Sequence, residues 1–249
     1  MLTEKRWNLI LHHLNERGSI TVTELTELLG ASESTIRRDL NTLDKDGKLN
    51  KVFGGAVVRE TSHTTYEPSF SQKIDANQKE KKLIAKYAAG LIAPEDFVYI
   101  DAGTSTAYMI PYITENRATF ITNGIQHAQT LAKSGLKVIL IGGELKDTTE
   151  AVVGSQALAN VQEYHFTKAF MGTNGVTKKE GFTTPDFNEA SVKKVAMIQA
   201  RDSYILCDHT KFGIISSVTF SPFGDAFIIT DQDPSGQYKG CKNIITVKN

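Results

Sequence analysis

The stretch Leu28-Leu29-Gly30-Ala31-Ser32-Glu33-Ser34-Thr35-Ile36-Arg37-Arg38 leaves the first sixty residues few ways to fold. Gly30 suits the left-handed residue that ends a helix, and Ser32 can cap a new one directly afterwards, so two helices must meet across a tight turn. The helix before the turn opens at Thr21-x-x-Glu24, the spacing of a capping box, and continues through Leu25, Leu28 and Leu29. The helix after it turns Ile36, Leu40 and Leu43 inward. An earlier helix carries Leu2, Arg6, Leu9, Ile10 and Leu14 near helical spacing, with Leu9, Ile10 and Leu14 inward, and stops before Arg17-Gly18. Ser19-Ile20-Thr21-Val22 is a short β-prone link. Helix, tight turn, helix is the helix-turn-helix pattern. Alternating Leu49, Lys51 and Phe53, followed by Gly54-Gly55, then read as a β-hairpin wing.

Ser34, Thr35, Arg37 and Arg38 fall off the apolar stripe near the start of the third helix, the end that enters a major groove in such motifs. Paired arginines on an exposed helix are often solvated or ion-paired, here with Asp39 or Asp44. Charge placement favours the other reading. The whole chain balances 28 Lys and Arg against 28 Asp and Glu, so any nucleic-acid binding must come from a local patch. Between Ser34 and Arg59 stand Arg37, Arg38, Lys45, Lys48, Lys51 and Arg59 against three acids. Ser32, Ser34, Thr35, Arg37 and Arg38, with Lys51 and Gly54 of the wing, are therefore the expected DNA contacts.

A chain of 249 residues holds one sizeable core and a small extra module. The expected division is a DNA-binding domain over 1–58, a linker over 59–68 (RETSHTTYEP, polar and threonine-rich) and a larger domain over 69–249. Cys207 and Cys241 are the only cysteines and show no metal-ligand spacing, which suggests a reduced, cytoplasmic protein without a metal. The N-terminus lacks the apolar run of a signal peptide, and no uninterrupted 18-residue apolar stretch occurs, so a membrane span is not expected.

From Ser69 to Leu91 a charged helix is expected, with Leu83, Ile84, Tyr87 and Leu91 on its buried face. Strands are expected at 97–101, 119–123, 137–141, 168–172, 203–208 and 226–230, and helices at 105–112, 124–133 and 187–201. Apolar strands alternating with helices imply an α/β domain with a mainly parallel sheet. Ligands of such sheets collect outside the carboxyl ends of the strands. There the sequence places Asp101-Ala102-Gly103-Thr104-Ser105-Thr106, Thr122-Asn123-Gly124, Gly142-Gly143-Glu144, Gly172-Thr173-Asn174-Gly175 and Asp208-His209-Thr210-Lys211. Glycine, three hydroxyls and free amides at Gly103 to Thr106 suit an anionic phosphate, although Gly-Thr-Ser also makes an ordinary helix start. Glu189 with Lys193 or Lys194 is either a surface pair or part of a site.

The run from Val22-Thr23-Glu24-Leu25 through Gly30 to Leu40 and on to Gly54-Gly55-Ala56 closely resembles the winged helix-turn-helix of the DeoR family of bacterial transcriptional regulators. Phe53 stands where that family commonly has a histidine. The strand-end motifs resemble the family's sensor domain, whose fold is similar to ribose-5-phosphate isomerase and whose ligands are phosphorylated sugars. The resemblance implies an effector pocket of Asp101, Gly103, Thr104, Ser105, Thr106, Asn123, Asn174, Glu189 and Lys211. The hydroxyl loop and Lys211 would hold phosphate, while Asp101, Asn123 and Glu189 would read sugar hydroxyls. It further implies a non-enzymatic repressor of a sugar operon that binds double-stranded operator DNA as a homodimer or homotetramer and needs no cofactor. Gly30 to Leu40, with Met1-Leu2-Thr3-Glu4, looks most like regulators of fructose operons, which favours fructose 1-phosphate over tagatose 6-phosphate or another ketose phosphate. The competing reading is a sugar-phosphate isomerase with an accessory DNA-binding domain. It needs a positioned general base, for which Asp101, Glu144 and Glu189 are available, but Gly172-Thr173-Asn174-Gly175 lacks the paired aspartates of the isomerase.

Overall fold

The structure, a computed structural model, describes residues 2–46, 48–57, 62–234 and 238–248, without the side chains of Asn15 and Glu16. It divides into two compact units, Met1–Ser62 with Pro234–Lys239, and His63–Asp233 with Gly240–Asn249. Arg59, Glu60 and Thr61, the first part of the expected linker and the site of one wing charge, lie outside the described residues.

In the first unit α1 (Thr3–Arg17) ends at Gly18, α2 (Val22–Leu29) opens on the Thr21–Glu24 capping box, and α3 (Glu33–Lys45) is capped by Ser32. The β-prone link is a strand, β1 (Ser19–Thr21), and joins the wing strands β2 (Asn50–Val52) and β3 (Gly55–Val57) in an antiparallel sheet of order β1-β3-β2. Ile10, Leu14, Leu25, Ile36, Leu40 and Leu43 share one core, as their spacing requires. Leu9 is only half-buried. Asp39, by contrast, is buried.

The second unit is built on seven parallel strands: β4 (Phe97–Ile100), β5 (Thr119–Thr122), β6 (Lys137–Leu140), β7 (Phe166–Gly172), β8 (Ala200–Leu206), β9 (Phe227–Thr230) and β10 (Ile244–Thr246). Their order is β10-β9-β8-β7-β4-β5-β6. After β4 the chain adds strands on one side and then crosses to the other, so the switch point lies between β4 and β7. Two apolar layers sandwich this sheet, one around Tyr99, Phe166 and Phe182, the other around Phe120, Phe170 and Ile229.

Several expectations are corrected. The helix expected over 69–91 is two helices, Phe70–Asp75 and Gln78–Ala89, because Asn77 adopts a left-handed conformation (φ 51°) between them. The second turns Lys81, Ile84, Ala85, Ala88 and Ala89 inward and leaves Tyr87 exposed. The helix expected at 105–112 is Thr104–Ala107, with a separate 3-10 turn at Ile110–Tyr112 that holds Pro111. A small antiparallel sheet of Gly175–Thr177, Gly181–Thr184 and Val218–Ser221, and the edge strand β10, were not expected. Residues 63–68, expected in the linker, pack into this unit: the Thr64 amide donates to the Ile215 carbonyl, and Glu67 pairs with Lys73 and Lys146.

Candidate functional site

On the first unit, α3 places Ser34, Arg37 and Arg38 on its exposed face and leaves Thr35 half-buried. The Ser32 hydroxyl accepts from the Thr35 amide at 3.3 Å and lies 2.8 Å from the Thr35 hydroxyl, so these two groups fix the helix start. Arg37 donates to Glu33, its i−4 neighbour, with Nη2 to Oε1 at 2.5 Å. Neither arginine pairs with Asp39 or Asp44. Asp39 instead accepts from Arg6 Nε at 2.5 Å and from Trp7 Nε1 at 2.8 Å, and Asp44 accepts from the Lys51 amide at 3.0 Å. Arg38 makes no ion pair among the described residues. Lys51 is exposed on the wing, and Gly54 makes its turn at φ 81°, a conformation few other residues adopt. Phe53, beside it, is fully exposed, 108 % by relative area. This surface offers cations, hydroxyls and one aromatic group without competing burial.

At the switch point of the second unit, Asp101 follows β4 and is 2 % exposed. One carboxylate oxygen accepts from the Gly172 amide at the end of β7 (3.0 Å) and from Lys193, whose ammonium also donates to the Gly172 carbonyl at 3.2 Å. Asn123, after β5, accepts from the Ala102 amide at 2.9 Å and donates to the Val152 carbonyl. The sequence-predicted Asp101, Gly103, Thr106 and Asn123 thus meet in one hydrogen-bonded cluster.

Within that cluster Thr106 is fully buried, and its hydroxyl lies 2.6 Å from the Asp101 carbonyl, 2.7 Å from the Gly103 carbonyl and 3.1 Å from His127 Nε2. It closes the loop, with Thr104 buried and Ser105 half-buried beside it. Their amides have no hydrogen-bond partner among the described residues. His127 was not singled out in the sequence. It is buried, 3.0 Å from the Gly103 carbonyl, and burial holds its pKa down at about 4, so it is neutral and donates through Nε2. Gly124 makes room for it, since a Cβ there would lie 2.5 Å from the ring.

Glu189 and Lys193 are both buried and do not pair with each other. Glu189 accepts from Lys146 at 3.1 Å and from the Thr149 hydroxyl at 2.5 Å. Burial opposes the charge on Lys146, but its bonds to Glu67 and Glu189 outweigh it and raise its pKa. The i,i+4 spacing of residues 189 and 193 therefore spans two separate charge clusters along one helix, Phe187–Ile198. Asn174 accepts from the Thr184 hydroxyl at 3.2 Å and immediately precedes the strand Gly175–Thr177 of the small antiparallel sheet. Lys211 sits on a 3-10 turn after β8, half-buried. Asn77 ties that turn to the helical break by donating to Asp208 at 3.1 Å. Lys73 and Lys81, also missed, come from the two preceding helices. Their residue types gave no signal, because a lysine on a charged helix ordinarily faces water. Glu144 stays exposed on the strand Glu144–Lys146. Among the described residues no His, Cys, Asp and Glu cluster could hold a metal ion, and no helix is long and apolar enough to cross a membrane.

Comparison with known proteins gives a family match for each half of the chain. The model of the DeoR-like helix-turn-helix domain matches residues 6–62, and that of the DeoR C terminal sensor domain matches residues 76–232. The uncharacterized HTH-type transcriptional regulator FruR of Bacillus subtilis (strain 168) is 42 % identical, over 92 % of this chain and 91 % of that protein. The lactose phosphotransferase system repressor of Staphylococcus aureus (strain NCTC 8325 / PS 47) is 32 % identical over 99 % of both chains. The putative aga operon transcriptional repressor of Escherichia coli O157:H7 is 31 % identical over 84 % of this chain and 79 % of that protein. Among solved structures, ribose 5-phosphate isomerase A from Methanocaldococcus jannaschii covers 57 % of each chain at 15 % identity, with a TM-score of 0.42.

Proposed function

Because the chain belongs to the DeoR family of transcriptional regulators, with a DNA-binding helix-turn-helix domain and a sensor domain, we propose that it represses a sugar uptake or catabolic operon under the control of a phosphorylated sugar. It acts in the cytoplasm on double-stranded operator DNA, as a homodimer or homotetramer, through Ser32, Ser34, Thr35, Arg37, Arg38, Lys51 and Gly54. The observation that carries the effector half is the convergence of Asp101, Asn123, Lys193 and the Gly103 to Thr106 loop at the switch point of a parallel sheet, where such folds bind ligands. The names of two relatives, a lactose phosphotransferase system repressor and a putative aga operon repressor, support the sugar operon. The effector favoured is fructose 1-phosphate, on the likeness of the recognition helix to fructose-operon regulators, with tagatose 6-phosphate next.

Catalysis by the same site is not favoured. A general base needs a carboxylate free to take a proton from carbon. Here Asp101 is held by Lys193 and the Gly172 amide, and Glu189 by Lys146 and Thr149. The testing experiment is binding of the protein to the DNA upstream of its own gene by fluorescence anisotropy, across a panel of sugars and sugar phosphates. One phosphorylated sugar should change DNA affinity by about 5- to 150-fold, and the free sugar should not. Equal effects of sugar and sugar phosphate would refute the reading.

A further inference from the structure

The tip of the wing turns two apolar side chains, Val52 and Phe53, to water. Phe53 is fully exposed, although β2 and β3 are joined by a two-residue turn, where glycine, asparagine or aspartate ordinarily stands. The ring buries nothing, so it adds nothing to the stability of the fold. The backbone that carries it is nevertheless held firmly. Gly54 takes φ 81°, and its carbonyl accepts from the Val22 amide at 2.8 Å, which fastens the tip to the start of α2. Gly55 lies so close to β1 that a Cβ there would stand 2.3 Å from the Ile20 carbonyl. On the other strand the Lys51 amide donates to Asp44 of α3 at 3.0 Å. Phe53 therefore projects from a fixed support, and a partner that takes the ring has little backbone left to order.

We propose that Phe53 is an apolar wedge that enters the minor groove of the bound duplex and parts one base step. The surroundings of the ring select this occupant. Lys51 is exposed two residues before it, and Arg37 and Arg38 are exposed on the helix to which the wing is fastened, so cations flank the apolar tip as a polyanion requires. A second copy of the chain fits poorly, because β2 is an edge strand of only three residues and Asp44 already takes the Lys51 amide. The minor groove is about 6 Å wide and admits a single projecting side chain where a helix would not fit. Phenylalanine is one of the residues that unstack base steps there. The inference rests on the DNA-binding reading of the first unit and adds to it a contact that carries no charge.

Two consequences separate a wedge from the cationic contacts around it. Lysine and arginine on phosphates release counterions and weaken as salt rises, whereas an apolar ring between bases does not. Parting a step is easiest where stacking is flexible, at pyrimidine–purine steps such as TA and CA/TG. Phe53 thus selects operators that place such a step under the wing, without a hydrogen bond to any base.

The test measures binding of the full chain to the duplex upstream of its own gene by fluorescence anisotropy over a range of salt concentrations, with 2-aminopurine placed in turn at each adenine of the protected region. Phe53→Ala should weaken binding about five- to a hundredfold with the salt slope unchanged, whereas Lys51→Ala should flatten that slope. Phe53→Leu keeps an apolar wedge and should retain most of the affinity. One 2-aminopurine should brighten when the wild type binds and stay dark with Phe53→Ala. Urea unfolding followed by Trp7 fluorescence should give Phe53→Ala the wild-type midpoint, because the ring is unburied in the free protein; a lowered midpoint overturns that premise and the wedge. Equal affinity of wild type and Phe53→Ala, or no brightening at any position, overturns the wedge and leaves the DNA-binding reading in place. Failure of the wild type to bind the duplex refutes that reading and the wedge with it.

Discussion

Asp39 lies on the recognition helix between the exposed arginines and the core, and its removal should unfold the DNA-binding unit more readily than any change to those arginines. Its carboxylate accepts from Arg6 Nε at 2.5 Å, Arg6 Nη2 at 3.0 Å and Trp7 Nε1 at 2.8 Å. The Asp39 side chain is 6 % exposed and that of Arg6 12 %. Breaking a buried pair by deleting one partner costs about 3–5 kcal/mol. Water reaches part of the guanidinium, so Asp39→Asn, which keeps shape and the bond from Trp7, should cost about 2–3 kcal/mol. Asp39→Ala also strands the indole N–H and should cost about 1 kcal/mol more. A unit of roughly 60 residues has about 3–9 kcal/mol in all, so Asp39→Ala leaves little. Trp7 is the chain's one tryptophan and touches Asp39, so its fluorescence follows this unit alone during urea unfolding. With a slope of about 1 kcal/mol per molar urea, Asp39→Asn should move the midpoint down by about 2–3 M. A midpoint unchanged in both variants would refute the claim that this pair anchors the recognition helix.

Arg37→Ala and Arg38→Ala should leave the stability of that unit within about 0.5 kcal/mol of the wild type, because both side chains are exposed. Each should weaken operator binding; a guanine contact costs about 1–3 kcal/mol at one base pair, whereas a phosphate contact flattens the salt dependence for all sequences. Lys193→Met strands the buried Asp101 carboxylate and should lower the stability of the sensor unit by about 3–5 kcal/mol; Asp101→Asn with Lys193→Met should recover much of that in a double-mutant cycle. As pH falls, the unfolded chain protonates His127 near about 6.5, while the folded chain resists until about 4. Its burial therefore lowers stability as pH drops through that window, by roughly 3 kcal/mol in full. His127→Gln should flatten this part of the stability–pH profile, and an identical profile would show that His127 is not buried neutral.

Much of the first unit was legible because its determinants are local. Thr21 and Glu24 form their box three residues apart, Ser32 caps its own helix, and Ile36, Leu40 and Leu43 repeat at the helical period. Parallel strands announced themselves as apolar runs, and their polar ends marked the side where Asp101, Asn123 and Gly172 meet. Partner choice among charged groups was not legible. Glu189 and Lys193 have the spacing of a surface pair, but the lysine reaches Asp101, 92 positions away, and Asp39 takes Arg6, 33 positions away, over its neighbouring arginines. Lys81 gives no hint of burial in a segment with lysines at 79, 81, 82 and 86. Caps and periodicity depend on neighbours within one or two turns, so sequence alone determines them. Which charge is desolvated, and beside which other charge, depends on how distant elements pack across the sheet, and only the tertiary structure decides that.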